Sequence, residues 1–355
     1  MPLEQLIAFG VVFGVAFGSA FGLTPLMRRF GLRHGIMAIP GGRRQHQGAM
    51  PRTGGLALFI AFGLAVLVAQ LMPIERTDPK EVIRLIGLLL GAGFITFIGY
   101  LDDKYDLSPL VLYLGQLLTG AIAVVFLIFI ETFNNPLSGE PITWPYWVTV
   151  AVTLFWMGLM MNTVNFLDGS DGLAAGVIAI AAFMIFVHAA FQLNQVSVGL
   201  LALALLGALL GFLPYNFPPA KIFMGGGAYF LGYALGVLSI IGGAKMATVL
   251  LVMGLPLMDL GWQASSRLMR GQNPMQGDRG HLHFRLIDAG VSPVVLALGY
   301  YAFCAAFGLI ALTTTSQLFK LVALIVMFMI VGVVFTLVSI GQPHLQPTET
   351  PHESE

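Results

Sequence analysis

Apolar residues run for about 20 positions at a time along most of this chain, and short polar stretches between the runs hold nearly all of its charge. The pattern predicts membrane spans near 3–23, 54–73, 83–101, 109–131, 145–164, 172–191, 197–214, 228–243, 246–263, 293–313 and 318–340. That makes eleven helices, or ten if the short runs at 228–243 and 246–263 form one unit, since only Gly242, Gly243, Ala244 and Lys245 part them. The expected fold is all-α, a polytopic integral membrane protein of 10–11 transmembrane helices. Residues 1–341 are read as a single multi-span membrane domain. Residues 342–355, polar and with three prolines and Glu349, Glu353 and Glu355, are expected to be a disordered tail.

Composition removes the soluble alternatives. Of the 355 residues 57% are hydrophobic and 10% charged, with mean hydropathy +0.87, against roughly a quarter charged in an ordinary soluble domain. Seventeen basic and seventeen acidic residues cannot cover a soluble surface of this size. The same balance, with pI near 7.1, gives no electrostatic footprint for nucleic acid. The one cysteine, Cys304, lies in an apolar run, so intrachain disulfides and cysteine metal sites are excluded.

The first run is followed by basic residues and lacks a small-residue cleavage site, which marks it as a retained helix. It carries Gly10, Gly14, Gly18 and Gly22, each preceded by Phe, a spacing that predicts a smooth stripe for close helix packing. Orientation follows from the basic loops. Arg28, Arg29, Arg33, Arg43, Arg44, Arg52, Lys104, Lys221, Arg267, Arg270, Arg279 and Arg285 fall on one side, against Arg76, Lys80, Arg84, Lys245 and Lys320 on the other. The bias puts the first side in the cytoplasm, with the N-terminus outside.

Every polar cluster capable of chemistry falls on that cytoplasmic side, whereas a transporter spreads polar groups through the midplane. Asp102 and Asp103 are adjacent anions at a membrane boundary and are candidates for a metal ligand or general base, although a solvated acidic loop has the same signature. Asn162, Asn165 and Asp168 recur every third residue and are followed by Gly169, Asp171 and Gly172. Their oxygens suit Mg²⁺, and the two Asp-Gly steps exceed what a helix cap requires. Gly225, Gly226 and Gly227 are expected to leave amides free for a phosphate before the next helix, with close helix packing an equal alternative. Asp278, Arg279, His281, His283 and Arg285 combine a phosphate clamp with imidazoles, or else form a basic surface loop. A lone His-x-His falls short of a zinc site. Asp259, a carboxylate inside a predicted span, is expected to face the cytoplasmic site.

In order, these motifs resemble the polyprenyl-phosphate N-acetylhexosamine-1-phosphate transferases over roughly residues 24 to 290. The resemblance is carried by Pro40 to Gly55, Gly99 to Pro109, Asn162 to Gly176, Phe212 to Gly232 and Asp278 to Leu286. Eleven spans and the Met-Pro-Arg-Thr-Gly-Gly-Leu-Ala segment look more like the GlcNAc-1-phosphate branch than the phospho-MurNAc-pentapeptide branch. The resemblance implies transfer of a sugar 1-phosphate from a UDP-N-acetylhexosamine, UDP-GlcNAc above all, to undecaprenyl or another polyprenyl phosphate, with release of UMP. It implies a multi-pass plasma-membrane enzyme with a cytoplasmic site, dependent on Mg²⁺ or Mn²⁺, with homodimers known in the family and no nucleic-acid partner. It further implies roles for single residues. Asp102, Asp103, His281 and His283 would be catalytic; Asn162, Asp168, Asp171 and Phe223 would bind nucleotide; Arg43, His46 and Arg279 would bind phosphate; Asn165, Asp168 and Asp103 would hold the metal. Three positions depart from the family's pattern: Gly226 replaces a metal-binding Asp, Phe284 a histidine, and Ala38 an Asp before the basic loop. A catalytically silent binder acting as a scaffold, and a lipid-linked sugar transporter, are the alternatives.

Overall fold

The computed structural model describes residues 1–38, 49–241, 246–271 and 280–340. They form an all-α bundle: α1 (Leu3–His34), α2 (Gly54–Ala69), α3 (Glu81–Tyr105), α4 (Pro109–Val125), α5 (Tyr146–Leu167), α6 (Leu173–Val187), α7 (Val196–Asn216), α8 (Gly227–Ile240), α9 (Met246–Val252), α10 (Gly254–Met269), α11 (Leu282–Asp288), α12 (Pro293–Thr313) and α13 (Gln317–Ile340). A π-helical turn, His188–Gln192, prolongs α6. Two short strand pairs complete the described chain, β1 (Met37–Ala38) with β2 (Met50–Pro51) and β3 (Thr132–Asn134) with β4 (Pro141–Thr143), both antiparallel.

All eleven apolar runs fall on a helix or, in one case, on a bent pair. Among the described residues seven helices are long and apolar enough to cross a membrane, or eight if α9 and α10 count as one span. The apolar helices α2, α4 and α8, at 16, 17 and 14 residues, are shorter, so length and composition alone do not confirm the count of eleven. Short helices survive here because their neighbours enclose them; α8 is buried from Gly227 to Ser239 against α2, α3 and α5.

Two expectations change. The run 246–263 is not one helix: α9 and α10 meet at an angle of 72°. Pro256 has no N–H to offer the carbonyl of Val252, and its ring collides with it in a continuous helix. The glycines of α1 do not pack within this chain, since Gly10, Gly14, Gly18 and Gly22 are exposed and have nothing within 4 Å. Ala8, Val12, Ala16, Ala20 and Thr24 are the buried row instead. A step of two residues turns a helix by about 200°, so only one of the two rows can face α7. The close approach comes from α7, where a Cβ on Gly211 would stand 2.3 Å from the Phe17 carbonyl oxygen.

Residues 342–355 lie outside the described residues. The chain alternates direction so that the C-terminal ends of α3, α5, α7 and α10 gather with the N-terminal ends of α2, α6 and α8. All the candidate site residues that are described lie at this end.

Candidate active site

The loop 217–226 between α7 and α8 forms the floor. Its backbone is laced to the start of α2: Phe223 N–H donates to Pro51 O at 2.8 Å, Gly54 N–H to Phe223 O at 2.9 Å and Gly55 N–H to Met224 O at 3.0 Å. Only glycine permits this seam, because a Cβ on Gly55 would stand 2.3 Å from Gly227 Cα. Asp171 holds the other edge, accepting Ala220 N–H at 2.9 Å, and Arg28 Nε donates to Lys221 O at 3.0 Å. Phe223 is half-buried in this loop.

Asp103, on the last turn of α3, joins the floor to the N-terminus of α8. Its Oδ2 accepts Gly226 N–H at 2.7 Å and its Oδ1 lies 3.0 Å from Arg52 Nε, with 5% of the side chain exposed. The next three amides, of Gly227, Ala228 and Tyr229, donate to Met224, Gly225 and Gly226 carbonyls. Of the amides expected to be free for a phosphate, that of Gly226 is therefore taken by Asp103 and that of Gly227 by the turn. Asp102 is half-buried and accepts Leu107 N–H at 3.1 Å, closing the end of α3.

The Asn162 to Gly172 segment divides between structure and site. Asn162 exchanges hydrogen bonds with Gln116 of α4, donating to Gln116 Oε1 at 2.6 Å and accepting from Gln116 Nε2 at 3.3 Å. It therefore ties α4 to α5 rather than presenting its amide to a nucleotide. Asn165 is half-buried on the last turn of α5, and Asp168 follows that helix. Loss of water around Asp168 pushes its carboxyl well above the usual carboxylate range; Arg52 opposes the shift, and Asp103 and Asp171 add to it. Gly172, at φ 70°, turns the chain into α6, and its carbonyl accepts Tyr301 Oη at 2.6 Å.

The histidines form the wall. Asp259 of α10 is 4% exposed, its Oδ2 3.3 Å from His281 Nδ1 and 3.7 Å from His283 Nδ1. The first distance suits a hydrogen bond and the second an electrostatic contact. Asp259 Oδ1 accepts Leu282 N–H at 3.0 Å, while Gln263 Nε2 and Arg285 Nε both donate to Gly280 O. The expectation that Asp259 turns toward this site agrees with the geometry. His281 stacks on Phe166 with ring centroids 4.9 Å apart. A Cβ on Gly169 would stand 2.8 Å from both His283 Nε2 and Phe284 Cζ, so the histidine wall closes directly over the Asp-Gly step.

Comparison with known proteins bears on this arrangement. The chain is 32% identical over 348 residues, 95% of its length and 94% of the relative's, to a protein of Bacillus subtilis described as a probable undecaprenyl-phosphate N-acetylglucosaminyl 1-phosphate transferase. The sequence profile of glycosyl transferase family 4 matches residues 85–243. The chain belongs to that family. Family 4 relatives also include a decaprenyl-phosphate N-acetylglucosaminephosphotransferase of Mycolicibacterium smegmatis, 31% identical over 80% of this chain and 78% of its own. A phospho-N-acetylmuramoyl-pentapeptide-transferase of Staphylococcus aureus is 28% identical over 75% of this chain and 85% of its own. The profile spans the aspartate pair, the Asn162 to Gly172 segment and the loop floor; Arg52, Asp259 and the histidines lie outside it.

Asp103, Asp168, Asp171 and Phe223 thus gather around Arg52 and the loop floor, and His281 and His283 close over Gly169. Arg43, His46 and Arg279, with Asp278, lie outside the described residues. Among the described residues no group of three or more His, Cys, Asp or Glu side chains could hold a metal ion. Mg²⁺ takes near-octahedral oxygen ligation, and both oxygens of Asp103 are already engaged. The expected set of Asn165, Asp168 and Asp103 therefore does not fit the ion as arranged. Arg52, Gln116 and Tyr301 were not expected at the site from sequence. Arg52 read as one loop charge among six, although its place two residues before Gly54-Gly55 was a usable signal.

Proposed function

We propose that this family 4 protein transfers N-acetylhexosamine 1-phosphate, GlcNAc 1-phosphate in particular, from a UDP-sugar to undecaprenyl phosphate at the cytoplasmic face of the plasma membrane. The activities for which its relatives are named support the reaction class. The observation that carries the reading is the convergence of Arg52, Asp103, Asp168 and Asp171 on one loop floor at one end of an apolar bundle. A lipid phosphate at headgroup level and a soluble nucleotide can meet there.

In this reaction an oxygen of the lipid phosphate attacks the β-phosphorus of the UDP-sugar. The bond from that phosphorus to the bridging oxygen breaks, and UMP leaves with the oxygen. Asp102 is the carboxylate assigned to accept a proton from the lipid phosphate. The guanidinium of Arg52, partly exposed at 19%, neutralises phosphate charge. Asp168 favours its protonated form and can donate a hydrogen bond to a phosphate oxygen. Asp171 fixes the loop that carries Phe223, the ring assigned to the uracil. His281 is held by Asp259 through Nδ1, and its buried Nε2 has no hydrogen-bond partner among the described residues, which leaves it for a proton or a phosphate oxygen.

The second reading is a silent binder, favoured by Gly226, where a Cβ would stand 2.3 Å from Gly99 Cα and oxygen, so that no carboxylate fits. UMP release by the purified protein in liposomes, given UDP-GlcNAc and undecaprenyl phosphate, separates the readings. Turnover supports the transferase. Lipid binding without turnover across a panel of UDP-sugars supports the silent binder, and counterflow of labelled lipid-linked sugar supports a transporter.

A further inference from the structure

We propose that Arg52 is the resident positive charge on Asp103, and that this site takes the diphosphate of a nucleotide ligand without a divalent cation. The ligand's identity rests on the UDP-sugar reading above; the claim about Asp103 does not.

Both oxygens of Asp103 already have partners, so a metal here would have to share the carboxylate with Arg52 and the Gly226 amide. Oδ2 caps the amide of Gly226 at 2.7 Å, Oδ1 pairs with Arg52 Nε at 3.0 Å, and the side chain is almost fully buried. The neighbourhood also bars a replacement ligand. A Cβ at Gly225 would stand 2.2 Å from Asp103 Oδ2, at Gly226 2.3 Å from Gly99 Cα, and at Gly227 2.2 Å from Gly55 Cα. The second and third of these contacts are with backbone, so they yield only if α2, α3 and α8 move apart. Three successive positions beside Asp103 are thus closed to any side chain, including a metal-binding carboxylate.

Arg52 is fixed from the other side. Its N–H donates to Ile36 O at 3.2 Å, and its own carbonyl lies 2.2 Å from a Cβ that Gly225 does not have. With Nε on Asp103, the terminal nitrogens of the guanidinium have no hydrogen bond or ion pair to another of the described residues, and Arg binds phosphate oxygens through such paired donors. Arg52 also acts on Asp168, whose carboxyl it draws toward ionisation. One guanidinium therefore lies between the anchored carboxylate, the second acid and the open side of the floor. A buried ion pair of this kind aims the guanidinium, and a metal on the same carboxylate would set a second cation beside it.

The test uses the full-length protein in detergent. Its Mn²⁺ binding is read by electron paramagnetic resonance without nucleotide, and its UDP-GlcNAc affinity is measured in EDTA and in Mg²⁺. The expected results are no stoichiometric Mn²⁺ site and affinities within about twofold of each other. Arg52→Gln should weaken binding about tenfold in both buffers, a loss of about 1.4 kcal/mol, with partial recovery in Arg52→Lys. A stoichiometric Mn²⁺ site in the unaltered protein, or affinity abolished by EDTA, would overturn the proposal. UMP release that needs Mg²⁺ would sink this inference and leave the transferase reading standing. Absence of UDP-sugar binding in a folded protein that also lacks a Mn²⁺ site would sink the UDP-sugar reading and leave the claim about Asp103 intact.

Discussion

Asp259 lies 3.3 Å from His281 through one carboxylate oxygen while the other accepts the amide of Leu282. A single acid on α10 therefore fixes both the ring and the backbone of the histidine segment. Replacing it with Ala leaves a buried amide and imidazole without their acceptor, at a cost of about 3 kcal/mol. Asp259→Asn keeps an acceptor for Leu282 and loses only the charge, so its cost should be nearer to 1 kcal/mol. Thermal unfolding in detergent measures both. If Asp259 positions a working histidine, the Asn variant should also lose kcat on the order of 100-fold with little change in KM. Full kcat in that variant would mark Asp259 as a structural acid only.

Glycines in this bundle divide into those that touch backbone and those that touch nothing. Gly99→Ala places a methyl 2.5 Å from Gly226 O and should destabilise by about 3 kcal/mol as α3 and α8 separate. Gly10→Ala meets nothing within 4 Å, so the gain in helix propensity should leave stability unchanged or raised by up to about 1 kcal/mol. Parallel melting curves test the contrast; equal shifts would deny the α3–α8 contact. Gly169→Ala, which presses on His283 and Phe284, should lower activity more than stability.

The raised pKa of Asp168 sets a pH dependence with a defined sign. Folding favours its protonated form, so its contribution is full below the unfolded value of about 4 and is lost as pH rises through the higher folded value. Asp168→Asn mimics the neutral acid. Without ligand, its melting temperature should exceed the parent's at pH 8 and draw level as pH falls toward 5. A difference independent of pH would show that Asp168 ionises normally.

Periodicity alone located the apolar segments, because length and hydropathy are local properties that lipid makes decisive. What it missed depended on partners distant in sequence. Asn162 carries the look of a ligand, but Gln116, 46 residues earlier, takes its amide. The α1 glycines look like a packing face, yet the complementary small residues are Gly207 and Gly211 on α7, which meet the alanine row. Gly225 to Gly227 were legible as special but not as closed, since the atoms that fill their space come from Arg52, Gly55, Gly99 and Asp103. The break at 252–254 was readable from Pro256, whose effect on a helix is local. Asp259 was readable as well, since a lone acid in an apolar run calls for a polar neighbour.

The most direct test of the central claim follows the β-phosphorus. The protein in liposomes with undecaprenyl phosphate is given UDP-GlcNAc carrying ³²P at the β position. Sugar 1-phosphate transfer predicts that the label enters the solvent-extractable lipid in step with unlabelled UMP in the water phase. Label that stays in the aqueous phase, as UDP or as unreacted UDP-GlcNAc, while the folded protein still binds the lipid, would contradict the account.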